Sequence, residues 1–545
     1  MKKHILILLS AASGILLSLG WPANGFPFLL LFALVPLLYV EDVLNKHKTE
    51  NSRFAILLYA YLAFFIWNAL TTWWICHSTI PGAIMAVIFN SLFMALVFFF
   101  FHVGRRNIYM GAFRQRNYGY LILISYWVTF EYLHMDWDLT WSWLNLGNGF
   151  ANYYKFIQWY EYTGALGGTI WILLTNVMIY QLIKSLTASE KLKRRIIVNL
   201  SSVMLLVFVP CFISLYMYAT YNEKHNPIEV VVIQPNIDPY NEKFSGMSSE
   251  EQIERIVSLA LKKLTPETKF LIAPETAIPE GVWLNEIQYS PSVRRLKMLF
   301  ETYPDLAILI GASTYMRYED EASGTPTARP LTSGQGYYDV FNSAVLIDAG
   351  NSIQYYHKSK LVPGVEKMPY PQIFGFLEDL AIDLGGMVGS HGVQDERSVL
   401  VSPHGIKTAP VICYESIYGD FVTGYVRNGA QFISIITNDG WWEDTPGYRQ
   451  HSEYARLRAI ETRRSIARSA NTGISSFVNQ RGDMFDATEW WVPAVIRKEI
   501  HLNDTLTFYV NYGDYLGRIL GFLSALIGLF TISSILMNRN RKIAK

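Results

Sequence analysis

A multi-pass α-helical membrane domain joined to an α/β outer domain is the fold class this sequence predicts, and three observations predict it. Hydrophobic residues make up 51% of the 545 positions and aromatic residues 15%, which is high for a soluble chain. About eight apolar runs approach the ~20 residues needed to cross a bilayer, seven of them before residue 221 and one after residue 514. Between them, residues 221–514 change to short β-branched runs alternating with amphipathic stretches, over a length that suits one soluble domain.

The first run, residues 1–20, follows Lys2 and Lys3 and fits either a signal peptide or a membrane span. A span fits better, because no small-x-small cleavage pattern follows and a new apolar run opens at Phe28 directly after the turn at 21–27. The other runs lie at 54–75, 83–103, 118–133, 165–183, 196–219 and 519–537. Basic residues mark every second connection: Lys2 and Lys3; Lys46, Lys48 and Arg53; Arg105, Arg106, Arg114 and Arg116; Lys184 and Lys191 to Arg195; and the C-terminal Arg539, Arg541, Lys542 and Lys545. The intervening 21–27 and 76–81 loops carry none, and 134–163 carries only Lys155. Positive charge stays on the cytoplasmic side of short loops, so both termini are expected in the cytoplasm and residues 221–514 on the outer side of the cytoplasmic membrane. The expected domains are therefore 1–220 with seven spans, 221–514 as the outer domain, and 515–545 as the last span and tail. The 134–163 loop, rich in Trp and Tyr, fits an interfacial aromatic belt or a platform for a lipid chain.

The charge balance, 46 basic against 45 acidic residues, gives no global field of the kind nucleic-acid binders carry, so nucleic acid is not an expected partner. Three cysteines, Cys76, Cys211 and Cys413, with no C-x-x-C, indicate neither a disulfide framework nor a cysteine metal site, and no metal or cofactor is expected.

Within the outer domain, β-type runs lie at 228–234, 270–273, 306–311, 343–347, 409–413 and 432–437, with helical spacing at 249–264, 416–427 and 453–468. The 321–336 stretch reads as a mobile surface loop and 369–390 as an apolar flap suited to a greasy substrate. Three strand ends carry reactive groups. Cys413 ends a β-run where a helix follows, the turn that lifts a nucleophile out of a sheet and leaves the Tyr414 and Glu415 amides to face an oxyanion. Glu275 stands just past another strand under proline constraint, and Lys358 follows a short aromatic run. Singly, these residues also fit a core thiol, a surface carboxylate and a solvated cation. Jointly they supply nucleophile, base and oxyanion partner without a histidine. A papain-like alternative would need His357, His391, His404 or His451 as the base.

The stretches VVIQPNI from Val231, APET from Ala273, HKSKLVPGVEKMP from His357, VICYES from Val411, ITNDGWW from Ile436 and ARLRAIETRRSIARSANTG from Ala455 occur in the order seen in a known group. On them the chain resembles the carbon-nitrogen hydrolase (nitrilase) superfamily with its Glu-Lys-Cys triad and, more narrowly, the apolipoprotein N-acyltransferase family. The resemblance implies a four-layer αββα sandwich, with Glu275 as base, Lys358 as stabilising cation and Cys413 as nucleophile. Glu366, Tyr414 and Glu415 match further functional positions. Two departures stand out: Pro363-Gly364-Val365-Glu366 replaces the family's usual turn sequence, and Lys243 with Phe244 stands near where the family carries a functional tryptophan. The implied reaction is ping-pong transfer of an acyl chain from a phospholipid, typically phosphatidylethanolamine, through a Cys413 thioester to the α-amine of a diacylglyceryl-cysteine lipoprotein, by a monomer among membrane lipid. Two alternatives are a membrane-tethered amidase or nitrilase acting on a soluble amide, and a transporter or receptor whose outer domain binds ligand. The latter predicts intramembrane charges, which read as scarce, Glu131 being the clearest.

Overall fold

The apolar runs fold as helices because in hydrocarbon each backbone donor and acceptor must be satisfied within its own segment. The computed structural model describes the chain apart from residues 1, 48–51, 109–118, 189–192, 244–245, 322, 333, 351, 371, 373–389 and 544–545. Phe244 and most of the 369–390 flap therefore lie outside the described residues. The chain divides into two compact units, one of Met1–Trp73, Ala83–Ala219 and Asp514–Lys545, the other of Trp74–Gly82 and Thr220–Gly513.

In the first unit, among the described residues, six helices are long and apolar enough to cross a bilayer: Pro27–Lys46, Ala55–His77, Ile80–Asn107, Tyr160–Thr187, Lys193–Thr220 and Tyr515–Met537. Lys3–Leu19 and Gly119–His134 occupy the other two expected positions but are shorter, at 17 and 16 residues. The 134–163 loop folds back as 3-10 turns, Ser142–Leu144 and Leu146–Phe156, and buries Trp143, Phe150 and Tyr160 within this unit. Its anchor is Glu131, whose Oε1 accepts from the Leu146 amide at 2.8 Å and the Trp127 indole at 2.9 Å, and whose Oε2 accepts from the Thr169 hydroxyl at 2.6 Å. Glu131→Leu should therefore leave three buried donors without their acceptor, at about 1–3 kcal/mol for each group left unsatisfied. A lowered midpoint in detergent thermal unfolding checks this, and an unchanged midpoint would remove Glu131 as the anchor.

The expectation that intramembrane charge is scarce is corrected. Glu41, Asp42, His102 and Arg105 are all buried in spans. The Glu41 carboxylate lies 2.8 Å from His102 Nδ1 and pairs with Arg105, whose Nη2 lies 2.8 Å from Asp42. These partners are 61 to 64 positions apart, so only helix packing brings together the opposite charges that make such burial tolerable.

The second unit contains two β-sheets. The first uses β1 (Pro227–Gln234), β2 (Thr268–Ile272), β3 (Ile278–Trp283), β4 (Ala307–Tyr318), β5 (Arg329–Pro330), β6 (Tyr337–Ile347), β7 (Gln354–His357) and β14 (Ala494–His501), in the order β14-β1-β2-β4-β6-β5 with β3 beside β4 and β7 beside β6. The second uses β8 (Leu400–Val401), β9 (Lys407–Ile412), β10 (Phe432–Thr437), β11 (Ile466–Ala470), β12 (Ser476–Val478) and β13 (Met484–Phe485), paired in the order β13-β12-β11-β10-β9-β8. β1, β2 and β4 run parallel, as do β9, β10 and β11.

Period-two alternation sorts the side chains. Val230, Val232, Phe270, Ile272 and Leu309 face Ile412, Phe432 and Ile436 of the other sheet in one core, with the Phe270 and Phe432 rings 5.0 Å apart. The neighbours Val231, Ile233, Leu271 and Ile308 point the opposite way, against Ile256 and Val257 of helix Ser249–Leu261 and Leu296 of Pro291–Lys297. Val422, Tyr425, Ala455 and Ala459, from helices Gly419–Arg427 and Pro446–Thr462, join the second sheet. The result is helix, sheet, sheet, helix. Ser248 and Glu251 cap the Ser249–Leu261 helix reciprocally, a box whose Ser contributes about 1 kcal/mol.

Two helix expectations are corrected. The 453–468 helix is Pro446–Thr462, ended by Arg463 at φ 50°, and Arg468 belongs to strand β11. Arg468 reads as a polar helix position, yet it is buried with its guanidinium on Asp439, so a paired charge mimics an exposed one in the pattern. The 416–427 helix is split into a 3-10 turn, Cys413–Ile417, and helix Gly419–Arg427. The 321–336 stretch carries β5, which pairs with Tyr337 and Tyr338. Trp74 packs into this second unit, its ring 4.7 Å from that of Trp442, and a Cβ at Gly447 would come within 2.6 Å of it, so only glycine fits there.

Candidate active site

Parallel strands aim their C-terminal ends at one place, and in α/β folds that is where ligands gather. Cys413 follows Ile412 at the end of β9, Glu275 lies three residues past the end of β2, and Asn438 follows Thr437 of β10. Cys413 takes φ 49° and Thr276, beside Glu275, φ 48°, a region that costs a side-chain-bearing residue on the order of 1–3 kcal/mol. Glu415 ties the elbow down. Its Oε2 accepts from the Ile412 amide at 2.9 Å and its Oε1 from the Ser359 amide and Tyr356 hydroxyl, both at 2.7 Å, so the turn carrying Cys413 and the segment carrying Lys358 are joined by one buried carboxylate. Tyr414 is buried with its ring edge-on to Tyr418 at 5.3 Å.

The structure brings Glu275, Lys358 and Glu366 into direct contact. Lys358 Nζ lies 3.0 Å from Glu275 Oε1 and 2.8 Å from Glu366 Oε1, and its side chain is only 2% exposed. Glu275 Oε2 accepts from the Asn438 amide at 3.0 Å. Glu366 reaches Lys358 through a turn in which its own amide bonds to Val362 O at 2.9 Å and Gly364 sits at φ 77°; Val362 N then returns a bond to Glu366 Oε2 at 2.9 Å. The Pro363-Gly364-Val365 departure thus folds as a tight turn delivering the carboxylate. Lys360, two residues from Lys358, instead lies over the Tyr418 ring at 5.2 Å.

Sequence reasoning missed Asn342, whose Nδ2 donates to Glu275 Oε1 at 2.7 Å and Glu366 Oε1 at 3.0 Å. The one amide side chain in β6, between Phe341 and Ser343 on a strand that ends in an apolar run, was the available signal. Lys243 lies hydrogen-bonded to Thr276 Oγ1, and burial, against the pull of Glu275, lowers its pKa to about 8.

Burial pushes the Cys413 thiol well above its ordinary value, the Glu275 carboxylate adds to this, and Lys358 opposes it. The thiol is protonated at rest. For Lys358, burial acts downward but the Glu275 and Glu366 carboxylates hold its pKa well above the usual lysine value, so the cation is permanent. Glu366 is raised by burial yet ends below its ordinary value because of Lys358. Glu415 is raised by burial. Of the four histidines of the papain-like alternative, His357 has its ring on Ser343 Oγ at 2.7 Å and His404 on Asp305 at 3.2 Å, while His391 is held by its backbone amide to Glu366 O at 3.0 Å. His451 Nε2 approaches the Cys413 carbonyl oxygen, at 3.2 Å, rather than its sulfur.

Comparison with known proteins fits both halves of this architecture. Residues 13–178 match the model of the apolipoprotein N-acyltransferase N-terminal domain and residues 229–508 that of carbon-nitrogen hydrolases. An amidase of the nitrilase superfamily from Nesterenkonia aligns over 55% of this chain and 99% of its own, at 13% identity and TM-score 0.37. The apolipoprotein N-acyltransferase of Thermotoga maritima is 27% identical over 531 residues, covering 96% of this chain and 93% of that protein. That of Chlorobaculum tepidum is 31% identical over 518 residues, 92% of each chain. With similarity running through the membrane helices and the outer sandwich alike, the chain belongs to the apolipoprotein N-acyltransferase family.

Proposed function

We propose that this protein transfers a fatty acyl chain from a phospholipid, with phosphatidylethanolamine as the preferred donor, to the N-terminal α-amine of a diacylglyceryl-cysteine lipoprotein, with Cys413, Lys358 and Glu275 as the reacting set. The observation that carries the reading is the buried contact of Glu275 with Lys358 beside the strained Cys413 elbow. Glu275 takes the Cys413 proton as Sγ attacks the ester carbonyl, and Lys358 with the Tyr414 amide holds the oxyanion. The C–S bond forms as the bond between the acyl carbon and the glycerol oxygen breaks, and that oxygen leaves on the lysophospholipid with the proton from Glu275. The acceptor amine then attacks the thioester, the C–N bond forms as C–S breaks, and the amine proton returns through Glu275 to the sulfur. Exclusion of water from the thioester is what turns the set from hydrolysis to transfer.

The topology that suits two membrane-anchored substrates has residues 221–514 on the periplasmic side of the inner membrane, flanked by membrane parts 1–220 and 515–545, in a monomer. Reporter fusions at Lys193 and at Gly336 should score on opposite sides, and both on one side would overturn it. Incubation with phosphatidylethanolamine alone, followed by intact-mass measurement, should give a protein heavier by one acyl group. Hydrolysis of small soluble amides with no such adduct would favour an amidase instead.

A further inference from the structure

Behind the elbow lies a buried polar cluster that the Glu275, Lys358 and Cys413 chemistry does not use. His451, on helix Pro446–Thr462, points Nε2 at the Cys413 carbonyl oxygen, 3.2 Å away, and at Ser416 Oγ, 2.9 Å away. Ser416 Oγ donates to that same carbonyl at 2.7 Å. On the ring's other side Nδ1 lies 3.0 Å from Asp439 Oδ1, which also accepts from Thr437 Oγ1 at 2.6 Å, while Asp439 Oδ2 holds Arg468. Ser416, Asp439, His451 and Arg468 are all at most 1% exposed.

The acceptors fix the protons. A carbonyl oxygen can only accept, so the His451 nitrogen bonded to it carries hydrogen. Burial acts to raise the Asp439 carboxyl, but His451 and Arg468 pull it down to about 2, so it stays an anion and holds the ring from the Nδ1 side at 3.0 Å, with the Arg468 guanidinium 3.2 Å from the same nitrogen. The Cys413 carbonyl thus receives two donors. In a planar trans peptide the N–H of Tyr414 points opposite to that carbonyl, so anchoring the oxygen fixes where the N–H aims. Hydrogen bonds to the oxygen also polarise the amide and strengthen its N–H as a donor.

We propose that His451, braced by Asp439, is a positioning residue that sets the Cys413–Tyr414 peptide as an oxyanion donor. This rests on the reading of Cys413 as the acylated nucleophile. A histidine that only fills space would affect every reaction of the thiol alike. One that works through the peptide affects only reactions that build an oxyanion.

The test compares two reactions of the full-length protein: acylation by phosphatidylethanolamine, which builds an oxyanion, and alkylation by iodoacetamide, a displacement that builds none. His451→Ala should slow acylation by on the order of a hundredfold, with the KM for phospholipid and the alkylation rate unchanged. His451→Gln, whose amide can donate to the same carbonyl, should recover most of the loss. Ser416→Ala removes the second donor with less disturbance and should slow acylation partially at unchanged alkylation, which keeps the test open if His451→Ala does not fold. Parallel loss of acylation and alkylation, loss of neither, or no recovery with Gln would overturn the proposal. Absence of any adduct in the unsubstituted protein would instead sink the Cys413 reading on which it rests.

Discussion

Cys413→Ala should carry no acyl group after incubation with phosphatidylethanolamine, and Glu275→Gln should carry little, while the unsubstituted protein gives a hydroxylamine-labile adduct. The reason lies in the protonation state. A thiol already near 8.5 in water is pushed further up here by burial and by the Glu275 carboxylate, so thiolate is scarce at neutral pH and the proton must leave as the sulfur attacks. Glu275 is held for this by three donors, Lys358, Asn342 and the Asn438 amide. Gln keeps the shape, removes the base and turns an amide nitrogen toward groups that can only donate. An adduct that persists in Cys413→Ala, or transfer that needs both substrates present together, would refute the thioester route.

Lys358→Met should cost acyl-enzyme formation about a hundredfold or more, whereas Lys360→Met should stay close to the unsubstituted rate. Lys358 is buried between two carboxylates. Without it Glu275 and Glu366 face each other with no cation between them, and like charges in such a site cannot both stay ionised. The oxyanion partner and the balance of the base are then lost in one substitution, and a buried pair broken on one side destabilises by about 3–5 kcal/mol. Lys360 has its ammonium over Tyr418 and Phe421, half-exposed. Single-turnover acylation of both variants, with thermal unfolding alongside, reads this; equal losses would mean the wrong lysine was assigned.

The juxtaposition of Glu275 and Lys358 was legible because each follows a strand, and strand ends are marked by apolar runs stopping at Pro, Gly or a charge. The 432–437 run is the observed β10 residue for residue, since a short, fully buried strand rich in isoleucine leaves little ambiguity. What stayed hidden were polar groups buried in pairs. Arg468 reads as surface until Asp439 meets it, Asn342 looks like an interruption in β6, and Glu41 with Arg105 joins two spans that pattern treats separately. Periodicity reports which side of an element is greasy and is silent about which distant charge will neutralise another.

Trp74–Gly82 belongs by packing to the unit that otherwise begins at Thr220, with Trp74 filling the space against Gly447 and Trp442. In the life of a newly made chain this has a cost in timing. Domains generally fold as units in the order they are synthesised, but here a piece of the later unit is made first and must wait, its indole unburied, until helix Pro446–Thr462 exists to receive it. The sandwich is therefore a discontinuous folding unit, and a polypeptide cut at residue 220 would lack a part of its own interior however well the remainder folds.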